Sequence, residues 1–265
     1  MNDSLSQLIS DAPQGRHFCQ LHHRPESLDA AVNVFVETGL NRGHATIVIA
    51  SAARNARIRN HLEHAGLDCA ALEGAKQLML LDAGDVLSGF MNGDMPVWKD
   101  FRRKIGRIVD SVKESSGGKI RLFGEMVNDL WREGNPAAAI RLEEYWNDLA
   151  REYSFCLFCG YELNGLDDDS YAGPVHQIAA QHTDIPATAD DVRFLAALEA
   201  ASNDVLGISL SAMLSLSGSR TQTGEHRLPI VYRTVLWLQR HMPSSMTKVL
   251  RRARFHYADM TNGTS

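Results

Sequence analysis

The chain is expected to fold as an α/β protein, with a mostly parallel sheet of about five or more strands, helices on both faces, and an all-helical C-terminal region. Three observations carry that expectation. Five short apolar runs alternate with amphipathic segments, the links between them are short, and after residue 171 only helical periodicity remains. Strands separated by helices pair in parallel, and right-handed crossovers then distribute the helices over both faces.

Residues 17–21 form the first run, and Leu28, Ala31, Val32 and Phe35 repeat at helical spacing until Gly39, which is read as the stop. Residues 45–50, with Ile47, Val48 and Ile49 in succession, read as a strand buried on both faces. Ile58, Leu62 and Ala65 mark the next helix, and Gly66 is placed to cap it. A third strand covers 78–81, and a helix covers about 97–112 until Gly117-Gly118 breaks it. Residues 120–123 give the fourth strand. Leu142, Tyr145, Trp146, Leu149 and Tyr153 form a core-facing helical stripe, and 155–161 give the fifth strand. Asn164-Gly165-Leu166-Asp167-Asp168-Asp169 is a turn-rich acidic break. Beyond it Thr188 and Asp191 match a capping pair, and Phe194, Leu198, Ala201 and Val205 line one helix face. Residues 218–224 read as a loop, with helices near 230–241 and 244–257. The expected organisation is an N-terminal tail over 1–15, an α/β domain over 16–165, and a helical region over 166–265 with a basic end.

The 265 residues are 44% hydrophobic and 22% charged, as in an ordinary globular protein, and a net charge of -5 gives no general field for nucleic acid. The charge is uneven. Residues 225–265 carry seven Lys or Arg against two acids, a net of +5, which leaves twenty against thirty, or -10, for the rest. No apolar run reaches the ~18–20 residues of a membrane span, and residues 1–15 lack a basic start followed by an apolar core, so a cytoplasmic protein without membrane contact is expected. The four cysteines are too few for a secreted disulfide scaffold. Cys156 and Cys159 have C-x-x-C spacing, but strand positions three apart point to opposite faces, so no shared metal is expected.

Parallel strands bring their carboxyl ends to one rim, where open α/β sheets bind ligands. The residues that follow the five runs are His22, His23 and Arg24; Ser51 and Arg54; Asp82; Glu125; and Glu162. Two imidazoles, two guanidiniums and three carboxylates suit a polar or anionic small molecule with Arg24 and Arg54 as charge partners, and equally an ion-pair network without a ligand. Nucleotide chemistry finds no support. There is no Gly-x-x-x-x-Gly-Lys-Ser/Thr, no Gly-x-Gly-x-x-Gly after the first strand, and no Gly-x-Ser-x-Gly elbow. No catalytic residue, cofactor or metal is therefore expected.

Several motifs occur in a telling order: His17-Phe18-Cys19, the stretch from Phe35 through Glu37-Thr38-Gly39 to Gly43, and Gly74-Ala75-Lys76-Gln77-Leu78. Arg121-Leu122-Phe123-Gly124-Glu125-Met126 and Leu157-Phe158-Cys159-Gly160-Tyr161 follow. Together, over about 16–161, they resemble the MEDS domain, the methanogen/methylotroph DcmR sensory domain, a P-loop-lacking relative of RecA/KaiC-like ATPases. The resemblance implies a RecA/KaiC-like sheet and a signal-input module of the kind joined to histidine-kinase, anti-sigma or DNA-binding output regions, with hydrocarbon-derived or other small ligands. It supplies no set of ligand contacts. Where KaiC-like ATPases place paired catalytic glutamates after the second strand, this chain has Ser51-Ala52-Ala53. Where MEDS-type sequences commonly show an aromatic residue after Glu-Met, it has Val127-Asn128. No kinase motif or helix-turn-helix is recognisable after residue 171.

The expected function is that of a non-catalytic cytoplasmic sensory or regulatory protein in signal transduction or transcriptional control. It would bind a small effector or a protein partner at the rim. The partner expected is a signalling protein: a histidine kinase, a sigma or anti-sigma factor, or a response regulator. Two alternatives stand beside it. One is a scaffold or anti-sigma-like module without a small ligand, which docks an acidic surface through Lys248, Arg251, Arg252 and Arg254. The other is a regulator that uses the same basic end on nucleic acid.

Overall fold

Strands β1 (His17–His22), β7 (Cys156–Glu162), β6 (Ile120–Gly124), β2 (Ala45–Ala50) and β3 (Leu78–Asp82) lie in that order in one sheet, and every pairing is parallel. All five expected runs are strands. The computed structural model describes residues 3–114, 117–163, 175–217 and 225–262; the acidic break at 164–169 and the loop at 218–224 lie outside the described residues. Helices α1 (Asp3–Asp11), α2 (Pro25–Asn41), α3 (Ala52–His64) and α4 (Cys69–Gly74) pack on one face. On the other lie α5 (Ala83–Ser88), α6 (Trp98–Lys113), α7 (Met126–Arg132) and α8 (Pro136–Glu152). A short hairpin, β4 (Met91–Asn92) with β5 (Met95–Pro96), links α5 to α6.

Alternation along each strand sorts the core. Ile47, Ile49, Leu122, Leu157 and Cys159 face α5–α8, whereas Phe18, Val48, Phe123, Cys156 and Phe158 face α1–α4. Phe158 stacks on Phe18 at 4.7 Å between ring centroids and meets Phe123 and Phe35 edge-on at 5.4 Å. Each such ring stabilises the fold by about 1.5–3 kcal/mol through burial alone. Gly66, at φ +84, takes the left-handed position after α3 that the sequence assigned to it.

Gly39 does not end its helix. α2 runs on to Asn41, and a Cβ at position 39 would lie 2.7 Å from Arg121 Cδ and 2.9 Å from Thr46 Oγ1. The glycine lets α2 pass directly over Arg121. That residue is fully buried on β6, and its guanidinium donates to the carbonyls of Ile9 (2.9 Å), Ser10 (2.8 Å) and Phe35 (3.0 Å) and to Thr38 Oγ1 (2.9 Å). Burial lowers its pKa to about 10. The segment read as a tail thus contains α1, which buries Leu5 and Ile9 and has its C-terminal carbonyls satisfied by a side chain from the sheet.

After β7 come α9 (Val175–Gln181), α10 (Ala189–Leu206), α11 (Leu210–Ser217), α12 (Ile230–His241) and α13 (Pro243–Asn262). Ile178, Phe194, Leu198, Val235 and Leu250 join Leu21, Tyr161 and Leu163 in a single core. The expected capping pair is a full capping box: the Asp191 carboxylate accepts from the Thr188 amide at 2.6 Å, and Thr188 Oγ1 accepts from the Asp191 amide at 3.2 Å. Before α10 the chain runs along the outer edge of β1. The Thr183 amide donates to His17 O at 2.6 Å, and the Cys19 amide donates to Asp184 O at 3.1 Å, so the open edge is covered. Among the described residues no helix is long and apolar enough to cross a membrane.

Candidate functional site

The strand order sets Glu125 at the middle of the carboxyl rim, with β2 beside it. Its amide donates to Ile49 O at 2.9 Å, which turns the side chain toward the start of α3. There the carboxylate accepts from the Ser51 amide at 2.9 Å and from Arg54 Nε at 3.0 Å. Arg54, itself buried, also donates to Asp29 of α2, which accepts from Arg57 Nε at 2.9 Å. One carboxylate–guanidinium chain therefore ties β6, α3 and α2 together.

His22 lies near Arg54, with both ring nitrogens buried. Burial and then the Arg54 charge lower its pKa to about 4. Its contribution to stability is therefore present above about pH 6.5 and lost as pH falls through about 4. Asp129, one turn beyond Glu125, behaves oppositely. Burial and then the Glu125 charge raise it to about 6, so its contribution is present below pH 3.8 and lost as pH rises through about 6. Asp129→Asn is accordingly expected to be about 1–2 kcal/mol more stable than the wild type at pH 7, an advantage gone by pH 4. Urea denaturation at the two pH values reads this directly.

The remaining rim residues take other partners. His23 Nδ1 is 2.8 Å from Leu163 O, and its Nε2 lies 3.3 Å from the Tyr232 hydroxyl and 3.8 Å from Asp191. Arg24 pairs with Asp190 at 2.9 Å. Both residues thus join the α/β body to α10 and α12. Asp82 caps α5 by accepting from the Asp85 amide at 3.1 Å, and Glu162 pairs with Arg132 at 3.4 Å. Four of the eight expected residues, His22, Ser51, Arg54 and Glu125, form one cluster. Two bridge to the helices, and two serve locally.

A cavity of about 170 Å³ opens between β1, the first turns of α2, and the start of α10, lined by Gln20, Arg24, Ala31, Asp190 and Arg193. Gln20 sits on the same face of β1 as His22, is 1% exposed, and has a side-chain oxygen without a partner. Arg193 donates to Asp190 at 2.6 Å through one terminal nitrogen, while its Nε has no partner. Sequence reasoning missed Gln20, although a polar residue inside an apolar strand is the available signal. It also missed Asp29, Asp129 and the α10 acids, which only the packing of distant elements brings in.

A second polar cluster lies under the opposite face. His17 Nε2 is 3.2 Å and His182 Nε2 is 3.4 Å from the Glu143 carboxylate, which accepts from the Tyr161 hydroxyl at 2.7 Å. Cys159 Sγ is 3.5 Å from His17 Nε2. All four of His17, Glu143, Cys159 and His182 are buried, and one ligand atom from each lies within 4.8 Å of the others. Burial opposes the Glu143 charge, but the two imidazoles outweigh it and hold the carboxyl below the usual range. Cys156 points to the other layer, as the strand periodicity requires. Sequence reasoning missed Glu143 as well, a charge between Leu142 and Trp146 beside the apolar stripe.

At the basic end, Arg252 Nε donates to Asp204 at 2.6 Å, and His256 Nε2 lies 2.9 Å from the same carboxylate. Lys248, Arg251 and Arg254 are exposed, as is Phe255.

A five-stranded parallel sheet, helices on both faces, and polar side chains gathered at the strand ends define an open, doubly wound α/β domain with a helical extension. Within that class the chain belongs to the MEDS family: the model of the methanogen/methylotroph, DcmR sensory domain matches residues 16–182. The match covers β1 through α9, the segment that carries both polar clusters. A sensory domain of this family points to a sensory or regulatory role. No curated protein matches the chain.

Proposed function

We propose that this is a non-catalytic sensory or regulatory protein of the cytoplasm, which takes a small polar effector in the cavity beside β1 and passes occupancy to its C-terminal helices. The observation that carries the reading is Gln20, a buried amide whose oxygen has no partner and which lines a cavity. A buried acceptor left unpaired costs about 1–3 kcal/mol, and a ligand N–H or O–H relieves that cost. Arg24 and Arg193 flank the same space, so a second, oxygen-bearing end of the ligand finds donors. A volume of about 170 Å³ limits the effector to a few heavy atoms. Arg24–Asp190 with His23–Asp191–Tyr232 supply the mechanical link to α10 and α12. The missing phosphate-binding and nucleophile motifs support the absence of catalysis.

The output is read by a signalling protein such as a histidine kinase, a sigma or anti-sigma factor, or a response regulator. A scaffold role is favoured by one observation, the exposed Phe255 among Lys248 and Arg251 on α13. The nucleic-acid reading has less support, since Asp204 already occupies Arg252. The test is a thermal-shift screen of small alcohols, amides and carboxylates on the full chain. A true effector at 100 times its Kd adds about 2.7 kcal/mol, and Gln20→Leu abolishes the gain. If every stabilising compound acts equally on Gln20→Leu, the cavity is not the sensor.

A further inference from the structure

We propose that His17, Glu143, Cys159 and His182 form a four-coordinate site for a divalent transition-metal ion, Zn2+ foremost, buried between the sheet, α8 and the end of α9. This is independent of the effector reading and reverses the expectation that the chain holds no metal.

Tautomers come first. His17 Nδ1 lies 2.9 Å from Asn147 Oδ1, and that amide's nitrogen is committed to Gln181 O at 3.0 Å; His182 Nδ1 lies 2.7 Å from Ile178 O. Both acceptors require a proton on Nδ1, so in a neutral imidazole each Nε2 presents a lone pair. Both lone pairs point at the Glu143 carboxylate, at 3.2 and 3.4 Å. Lone pairs facing a carboxylate repel unless each Nε2 is protonated, as in an imidazolium pair, or a metal ion lies among them. An Nδ1–H held by an oxygen acceptor is also the outer-shell arrangement that fixes metal-bound histidines.

Distances and charge agree. Bonds of about 2.0–2.3 Å to a tetrahedral Zn2+ put neighbouring ligand atoms about 3.3–3.8 Å apart. The separations here are 3.2 Å from His17 Nε2 to Glu143 Oε2, 3.4 Å from His182 Nε2 to the other oxygen Oε1, 3.5 Å from Cys159 Sγ to His17 Nε2, and 4.0 Å from Sγ to Oε2, while one ligand atom from each residue lies within 4.8 Å of the others. One thiolate and one carboxylate neutralise a divalent ion, whereas two imidazoliums around one carboxylate leave a net positive charge in the core. The mixed nitrogen, sulfur and oxygen set suits Zn2+ rather than Mg2+ or Ca2+. Access exists as well: a cavity of about 600 Å³ reaches both histidines beside Asn147 and Thr183. The four ligands come from β1, α8, β7 and the residue after α9, so the ion would clamp the chain to the sheet just where it turns toward the C-terminal helices.

The test is metal analysis of the full chain, purified without an affinity tag, as isolated and after incubation with Zn2+ or Co2+ and desalting. About one equivalent per chain is expected, with a thiolate-to-Co2+ charge-transfer band in the near ultraviolet. Cys159→Ser should lose the band, His182→Ala the tight binding, and Cys156→Ser neither. Asn147→Ala, which touches no metal, should weaken binding about 10–100-fold. Folded wild-type protein that retains less than about a tenth of an equivalent of either ion, or Cys159 and His182 variants that bind as tightly as the wild type, would replace the site with a plain buried ion triad.

Discussion

Arg121→Met is expected to destabilise the protein by about 2–5 kcal/mol, through the buried acceptors that lose their shared donor. Methionine retains most of the side-chain stem, so packing loss is small and the hydrogen bonds dominate. Without the guanidinium, the carbonyls of Ile9 and Ser10 at the end of α1 lose their donor inside the core, where each unpaired acceptor costs about 1–3 kcal/mol, while Phe35 O keeps its partners within α2. The chain has a partial escape: α1 can undock and expose its carbonyls to water. Equilibrium denaturation should therefore show the loss, and limited proteolysis should show new cleavage between α1 and β1. A change under about 1 kcal/mol would mean that α1 is held by its apolar face alone.

Glu125→Ala is expected to cost about 2–4 kcal/mol, because it strands the buried Arg54 with Asp29 as its remaining carboxylate and leaves the Ser51 amide without its acceptor. Glu125→Gln should cost less, about 1–2 kcal/mol, since its amide oxygen still accepts one of the two bonds. The order of the two variants matters more than either value. Equal and small losses in urea denaturation would show that water already screens the rim pairs.

The sheet was legible because each strand is a short, mainly apolar run, fully buried on both faces in Ala45–Ala50. The centre of the rim was legible for the same reason, since Glu125, Ser51 and Arg54 follow runs that prove to be neighbours in the sheet. Gly39 was misread because its role is set by Arg121, eighty-two positions away in the chain and visible only once α2 lies on β6. Asp82 lies at the end of the outermost strand, β3, where a helix cap claims it. The His17, Glu143, Cys159 and His182 group was hidden because the first and last strands of the domain are partners, a pairing that no local pattern announces. Helix α1 carried a readable signal in Leu5, Leu8 and Ile9, spaced for one apolar face.

In the proposed function one small cavity couples the α/β body to the C-terminal helices. Hydrogen–deuterium exchange of the full chain, with and without a stabilising compound from the screen, reads that coupling at its two walls. Added protection is expected in both residues 25–31 and residues 188–193, the two walls around Gln20. Protection elsewhere, with both walls unchanged, would contradict it.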